Sequence, residues 1–194
     1  ALDELYDRGH TREALVPIAA EGEAVVSGVA HDDNVAPAIV GGFTVATGNG
    51  ITRVDADISL VVCLPDIVVS TRDARSVVPE SADIEQVVET VGNAATLTAG
   101  MCRDDPELVG AGMHDSVVTP ARAELIEGYD DICVAARDAG ATGVTISGSG
   151  PGVLAVCQDR DRRPVASAML DAFEAHDVDA RSYQTRVGEG AQIL

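Results

Sequence analysis

The chain has 194 residues, 46% of them hydrophobic and 3% aromatic with no Trp, enough for a core of Val, Ala, Leu and Ile in one large or two small domains. Its formal net charge of -19 disfavours nucleic acid and anionic membranes as partners. No apolar run is long enough to span a bilayer and no basic, apolar leader opens the sequence, so a cytoplasmic protein is expected.

Helical spacing is present at once, from Leu2 to Tyr6, as in the tail of a helix. Thr11 caps a second helix, which runs through Ala14, Leu15, Ile18 and Ala19 to Val26 and stops at Gly28. A short helix follows from His31 and ends at the Gly41-Gly42 pair. Residues 43–47 and 51–54 form a hairpin about Gly48-Asn49-Gly50, and 58–64 is a largely buried strand. Ser70 or Thr71 caps the next helix, with Asp73 in its favourable first turn. Residues 82–101 are helical through Ile84, Val87, Val88, Val91, Ala95 and Leu97. Short helices are expected at 108–113 and 120–126, and a longer one at 130–139, closed by Gly140. Strands at 144–146 and 153–157 flank a glycine-rich loop. Pro164 opens a helix to Ala175, and 178–185 is the last strand. The pattern predicts an α+β fold, an antiparallel sheet with helices on one face.

The charge has a texture. Asp outnumbers Glu twenty to twelve, and all thirteen basic residues are Arg. The acids are interleaved with periodic apolar residues, which points to a folded core under an anionic surface. Such a surface suits very high salt, where screening removes the self-repulsion, so a halophilic source is expected. Cys63, Cys102, Cys133 and Cys157 form no CxxC pair and each lies beside apolar residues, so buried thiols are expected.

Four stretches can carry chemistry. The loop "TISGSGPGVL" lacks the Lys of a Walker loop and leads into a strand, so it reads either as a tight hairpin or as small residues that let an anion approach backbone N–H groups. In "HDDN", Asn34 can donate to and accept from a substrate hydroxyl, and His31 can share its pocket; the alternative is a polar helix start. Arg75 and Arg122 sit among small and apolar residues, where two guanidinium forks can clamp a carboxylate or make surface ion pairs. Glu23, on the edge of an apolar stripe, is either a solvated helix residue or a carboxylate for Mg²⁺.

Taken in order, "HDDNVAPAIVGG", "STRDAR", "VTPAR" and "GVTISGSGPGVLAV" resemble the homoserine kinase family of the GHMP small-molecule kinases. The first stretch matches the family pattern HxDNVAPxxxGG, and the last resembles the superfamily's third, glycine-rich motif. The resemblance implies a GHMP-kinase-like fold and ATP-dependent phosphorylation of the L-homoserine hydroxyl. It implies that His31 and Asn34 contact homoserine, and that Arg75 and Arg122 grip its carboxylate. Thr71 and Asn34 would lie at the chemistry, Gly148, Ser149 and Gly150 near the phosphates, and Glu23 at Mg²⁺. The family's main nucleotide loop, PxxxGLGSSAA, does not occur in the chain, so the sequence is expected to be a homoserine kinase lacking about its first third. Residues 1–45 would then be the helical remainder of the amino-terminal domain and 46–194 the carboxy-terminal domain. Other expectations are possible homodimerisation and, as rival readings, another GHMP kinase, a silent amino-acid-binding module or a purely structural domain.

Overall fold

Short polar side chains set many of the helix starts. Thr11 Oγ1 accepts from the Ala14 N–H at 3.3 Å, and Ser70 Oγ from the Asp73 N–H at 3.0 Å. Asp83 forms a reciprocal capping box with Gln86, and Asp105 caps a helix whose first residue is Pro106. The computed structural model describes residues 2–27, 32–47 and 49–192, apart from the side chains of residues 23, 24, 26, 27 and 71. The chain divides into two compact units, Ala1–Ala56 with Val187–Leu194, and Asp57–Arg186. No helix among the described residues is long and apolar enough to cross a membrane.

The first unit contains α1 (Leu2–Leu5), α2 (Arg12–Ser27), α3 (Asp32–Val40), β1 (Phe43–Thr47) and β2 (Gly50–Val54). β1 and β2 pair antiparallel from Phe43↔Val54 to Thr47↔Gly50, as the hairpin signal predicts. The stop expected at Gly28 and the turn residue Gly48 lie outside the described residues. Buried Val16, Ala36 and Val40 join α2 to α3, and Ala46 and Ile51 of the hairpin pack against them. The chain's tail returns here. Gly42 N–H donates to the Gly188 carbonyl at 2.8 Å, and Ala191 N–H to that of Ile39 at 3.1 Å. This contact explains the glycine pair: Gly41 has φ +76°, and a Cβ there would stand 2.1 Å from the Glu189 carbonyl carbon. The hairpin and the tail both pack within this first compact unit.

The second unit is built on a four-stranded antiparallel sheet of β3 (Ser59–Pro65), β4 (Ala141–Ile146), β5 (Val153–Cys157) and β6 (Ala180–Arg186), in the order β4-β5-β3-β6. Its helices are α4 (Thr71–Ser76), α5 (Ile84–Met101), α6 (Pro106–Ala111), α7 (Val118–Ala123), α8 (Tyr129–Asp138) and α9 (Arg162–Ala175). The α+β class is as the sequence predicts. α8 and α9 close the core, with Ile132, Ala136, Met169 and Phe173 against Val61, Cys63, Val153 and Ala155. α6 packs against β4 and β5.

Several boundaries differ from those read in the sequence. β4 starts at Ala141, three residues early, because Gly140 at φ +108° turns the chain directly into the sheet and a bulge at Ala141/Gly143 absorbs the register. α6 starts at Pro106 because Asp105 and Pro106 together form a helix start. Of the cysteines expected to be buried, Cys63, Cys133 and Cys157 are, but Cys102 is exposed, since α5 ends there and the chain turns toward solvent. Burial raises the thiol of Cys63 to about 12 and that of Cys157 to about 11.

Candidate active site

The sequence places Arg75 on α4, a helix of six residues. Its position is fixed by Ala74, which is fully buried, and by the Ser70 cap. Arg75 itself is exposed. Thr71 opens the same helix, and its side chain is outside the described part.

Arg122 lies in the last turn of α7. That helix has no side-chain bond at its N-cap residue Val117; the carboxylate of Asp115, just upstream, takes over. It accepts from the backbone N–H groups of Val117 at 2.9 Å, Val118 at 3.1 Å and Thr119 at 2.7 Å, and from the Thr119 hydroxyl at 3.0 Å. Burial pushes this carboxyl up, but the four donors outweigh it and hold the group below its ordinary 3.8. So held, α7 carries a half-buried Arg122 whose Nε donates to the Ala74 carbonyl and whose Nη1 donates to the Gly148 carbonyl, both at 3.1 Å.

The glycine loop joins β4 to β5 across the pair Ile146↔Val153. Ser147 N–H donates to the Gly152 carbonyl at 2.7 Å and Gly150 N–H to that of Ser147 at 3.0 Å, which closes the turn. Gly148 and Gly150 have φ of +60° and +87°. Ser149 and Gly150 are half-buried, while Gly148 is exposed and a Cβ on it would meet nothing within 4 Å. The hairpin reading therefore describes the backbone, and its tip has open space at the glycine that Arg122 holds. A cation beside an open glycine tip suits an anion.

The second unit thus gathers Arg122, the backbone of the helix that bears Arg75, and Gly148. Asn34 and Glu23 belong to the first unit. Asn34 is exposed on α3, its N–H bonded to Asp33 Oδ1 at 3.1 Å. His31 and the Glu23 side chain lie outside the described residues, and no group of three His, Cys, Asp or Glu that could hold a metal ion occurs among those described. Two features lie beyond the stretches discussed above: the two backbone carbonyls that Arg122 engages through Nε and Nη1, which have no local signal, and Asp115, which ahead of Val117-Val118-Thr119 is a helix-start signal.

Comparison with known proteins agrees with the motifs. The family GHMP kinases C terminal matches residues 97–175. A homoserine kinase of Haloarcula marismortui is 72% identical over 193 residues, covering 100% of this chain and 66% of that protein. One of Haloquadratum walsbyi is 64% identical over 194 residues, covering 100% of this chain and 67% of its own length. The crystal structure of a homoserine kinase from Cytophaga hutchinsonii superposes with a TM-score of 0.92 at 35% identity, over 98% of this chain and 62% of that one. The expected halophilic character agrees with the halophilic sources of the nearer relatives. This chain spans about 66% of the Haloarcula protein. Motif order, fold and identity agree: the chain belongs to the homoserine kinase family of the GHMP kinases.

Proposed function

We propose that this chain supplies the acceptor site and part of the phosphate site of a cytoplasmic kinase that transfers the γ-phosphoryl group of ATP to the side-chain hydroxyl of L-homoserine, yielding O-phosphohomoserine for threonine synthesis. The observation that supports it most directly is the pair of hydrogen bonds that Arg122 donates, which link the helix of Arg75 to the glycine tip at Gly148. Family membership supplies the substrate class.

In this reading Arg75 and Arg122 neutralise the homoserine carboxylate. Arg122 uses Nη2, which makes no hydrogen bond among the described residues. His31 and Asn34 orient the amino acid, and Asn34 accepts from the reacting hydroxyl. Thr71, Gly148, Ser149 and Gly150 border the phosphates. Transfer of this kind depends on in-line positioning and charge neutralisation more than on a strong base. ATP supplies the phosphoryl group, and Glu23 would hold the accompanying Mg²⁺. The PxxxGLGSSAA loop is absent from the 194 residues, so full ATP binding is assigned to the chain together with the further portion that its relatives have.

The test is a fusion of this chain behind the corresponding portion of the Haloarcula marismortui homoserine kinase, assayed in multi-molar KCl with radiolabelled ATP. L-homoserine, mevalonate, shikimate and galactose are offered in parallel. Label transfer to homoserine above all others is expected. Preference for another alcohol, or homoserine binding by calorimetry with no transfer at all, refutes the assignment.

A further inference from the structure

A cavity of about 270 Å³ opens in the second unit between α6, α7, α8 and β4. None of Arg75, Arg122 and Gly148 is in its wall, so it is separate from the candidate acceptor site. Its apolar lining comes from Met113, Ala123, Cys133 and Val144. Cavities for drug-sized ligands run from about 300 to 1,000 Å³, so this one suits a smaller molecule.

Most polar groups around the cavity already have partners. Thr119 Oγ1 donates to Asp115 Oδ2 at 3.0 Å, and Thr142 Oγ1 to the Pro106 carbonyl at 2.7 Å. The Tyr129 hydroxyl is engaged with the side chains of Cys133 and Thr145, and the Asp115 carboxylate with the start of α7. His114 Nε2 lies 3.4 Å from Glu89. Two charged groups in the wall remain, Asp130 and Arg137, whose side chains make no hydrogen bond or ion pair among the described residues. Seven positions apart on α8, they share one face of the helix, about 10.5 Å apart along its axis. Cys133 lies between them. Burial raises its thiol, and on top of that Arg137 pulls the pKa down and Asp130 pushes it up.

We propose that this cavity binds a small aliphatic amino acid, with its carboxylate on Arg137, its ammonium on Asp130 and its side chain over Met113, Ala123 and Val144. The opposite charges select a zwitterion. A dicarboxylate would set one anion against Asp130, and a diamine one cation against Arg137. A guanidinium takes a carboxylate through two parallel bonds. The hydroxyls around the cavity are spoken for, so a polar tail would lose its water without gaining a partner, whereas an aliphatic tail gains from burial. Thr119, Pro120 and Ala123 of α7 also line the cavity, so an occupant bears on the helix that holds Arg122.

Amide NMR of the isotope-labelled chain in multi-molar KCl, titrated with L-valine, tests this. Saturable shifts are expected at Thr119, Ala123, Cys133 and Thr145, with a dissociation constant of about 1 mM. Succinate and ethylenediamine should give none there, and glycine, which has no aliphatic group, should bind about 10-fold more weakly. Arg137→Gln and Asp130→Asn change exposed side chains and should each raise the valine constant by about 10-fold. Arg75→Ala should leave it unchanged, which separates this cavity from the acceptor site. Shifts confined to 71–76 and 147–152 overturn the proposal, as does an equal response to succinate or ethylenediamine. So does a valine constant indifferent to Arg137→Gln or Asp130→Asn, or the absence of saturable shifts at about ten times the expected constant.

Discussion

Arg122 donates through Nη1 to the carbonyl oxygen of Gly148, 26 residues further along the chain, while its Nε holds the carbonyl of Ala74. One side chain therefore sets the spacing between the glycine loop and α4. A loop tip built from glycines has little stiffness of its own. Its position is inherited from α7, and that of α7 from Asp115.

Replacing Arg122 should loosen both partners together. Two bonds from a charged, half-buried donor contribute about 1–3 kcal/mol, so Arg122→Met should lower unfolding stability by that order. Hydrogen exchange should quicken at 147–152 and 71–76, with the first unit's β1–β2 hairpin unaffected. Arg122→Lys should recover only part of the protection, since an ammonium lacks the fork that reaches two carbonyls. Unchanged exchange at both segments contradicts the tie.

Asp115 gives the stability a pH signature. Folding lowers its pKa below 3.8, so the folded state binds this proton less readily than the unfolded one. Its contribution is complete above 3.8 and is lost as pH falls through the lower, folded value. Asp115→Ala should cost about 1–2 kcal/mol near neutrality, the scale of a lost helix cap. The gap between the two proteins should narrow in strong acid. Denaturant titrations at a series of pH values measure it, and a constant gap refutes the role.

Thiol chemistry separates Cys102 from its three buried counterparts. Cys63, Cys133 and Cys157 are enclosed, and burial raises their pKa. Ellman's reagent should label one thiol quickly in the native protein, all four after denaturation, and none quickly in Cys102→Ser. Rapid labelling of a second thiol contradicts the core described above.

The legible parts of the sequence were those with local causes. Ser70, the hairpin at 43–54 and the loop between β4 and β5 each rest on residues a few positions apart. Less legible features had distant causes. Gly41 is required because the tail at Glu189 lies against it, and Arg122 spends its nitrogens on carbonyls that no local pattern announces. The periodicity of α5 revealed a helix, yet the apolar stripe turned out to face away from its own unit. A period gives the element but not the body that covers it. Cys102 shows the same limit, since apolar neighbours do not ensure burial at a helix end.

The central claim is that α4 and α7 read the carboxylate of an amino-acid acceptor. The direct measurement compares kcat/KM for L-homoserine with that for 3-aminopropan-1-ol, which keeps the hydroxyl and amine but lacks the carboxylate, in the fusion enzyme and in its Arg75→Ala variant. The parent should favour homoserine by about 100-fold or more, in line with a charge-assisted pair contributing about 3 kcal/mol, and Arg75→Ala should collapse that preference through the homoserine KM while the KM for ATP holds. A preference that survives Arg75→Ala intact would contradict the claim.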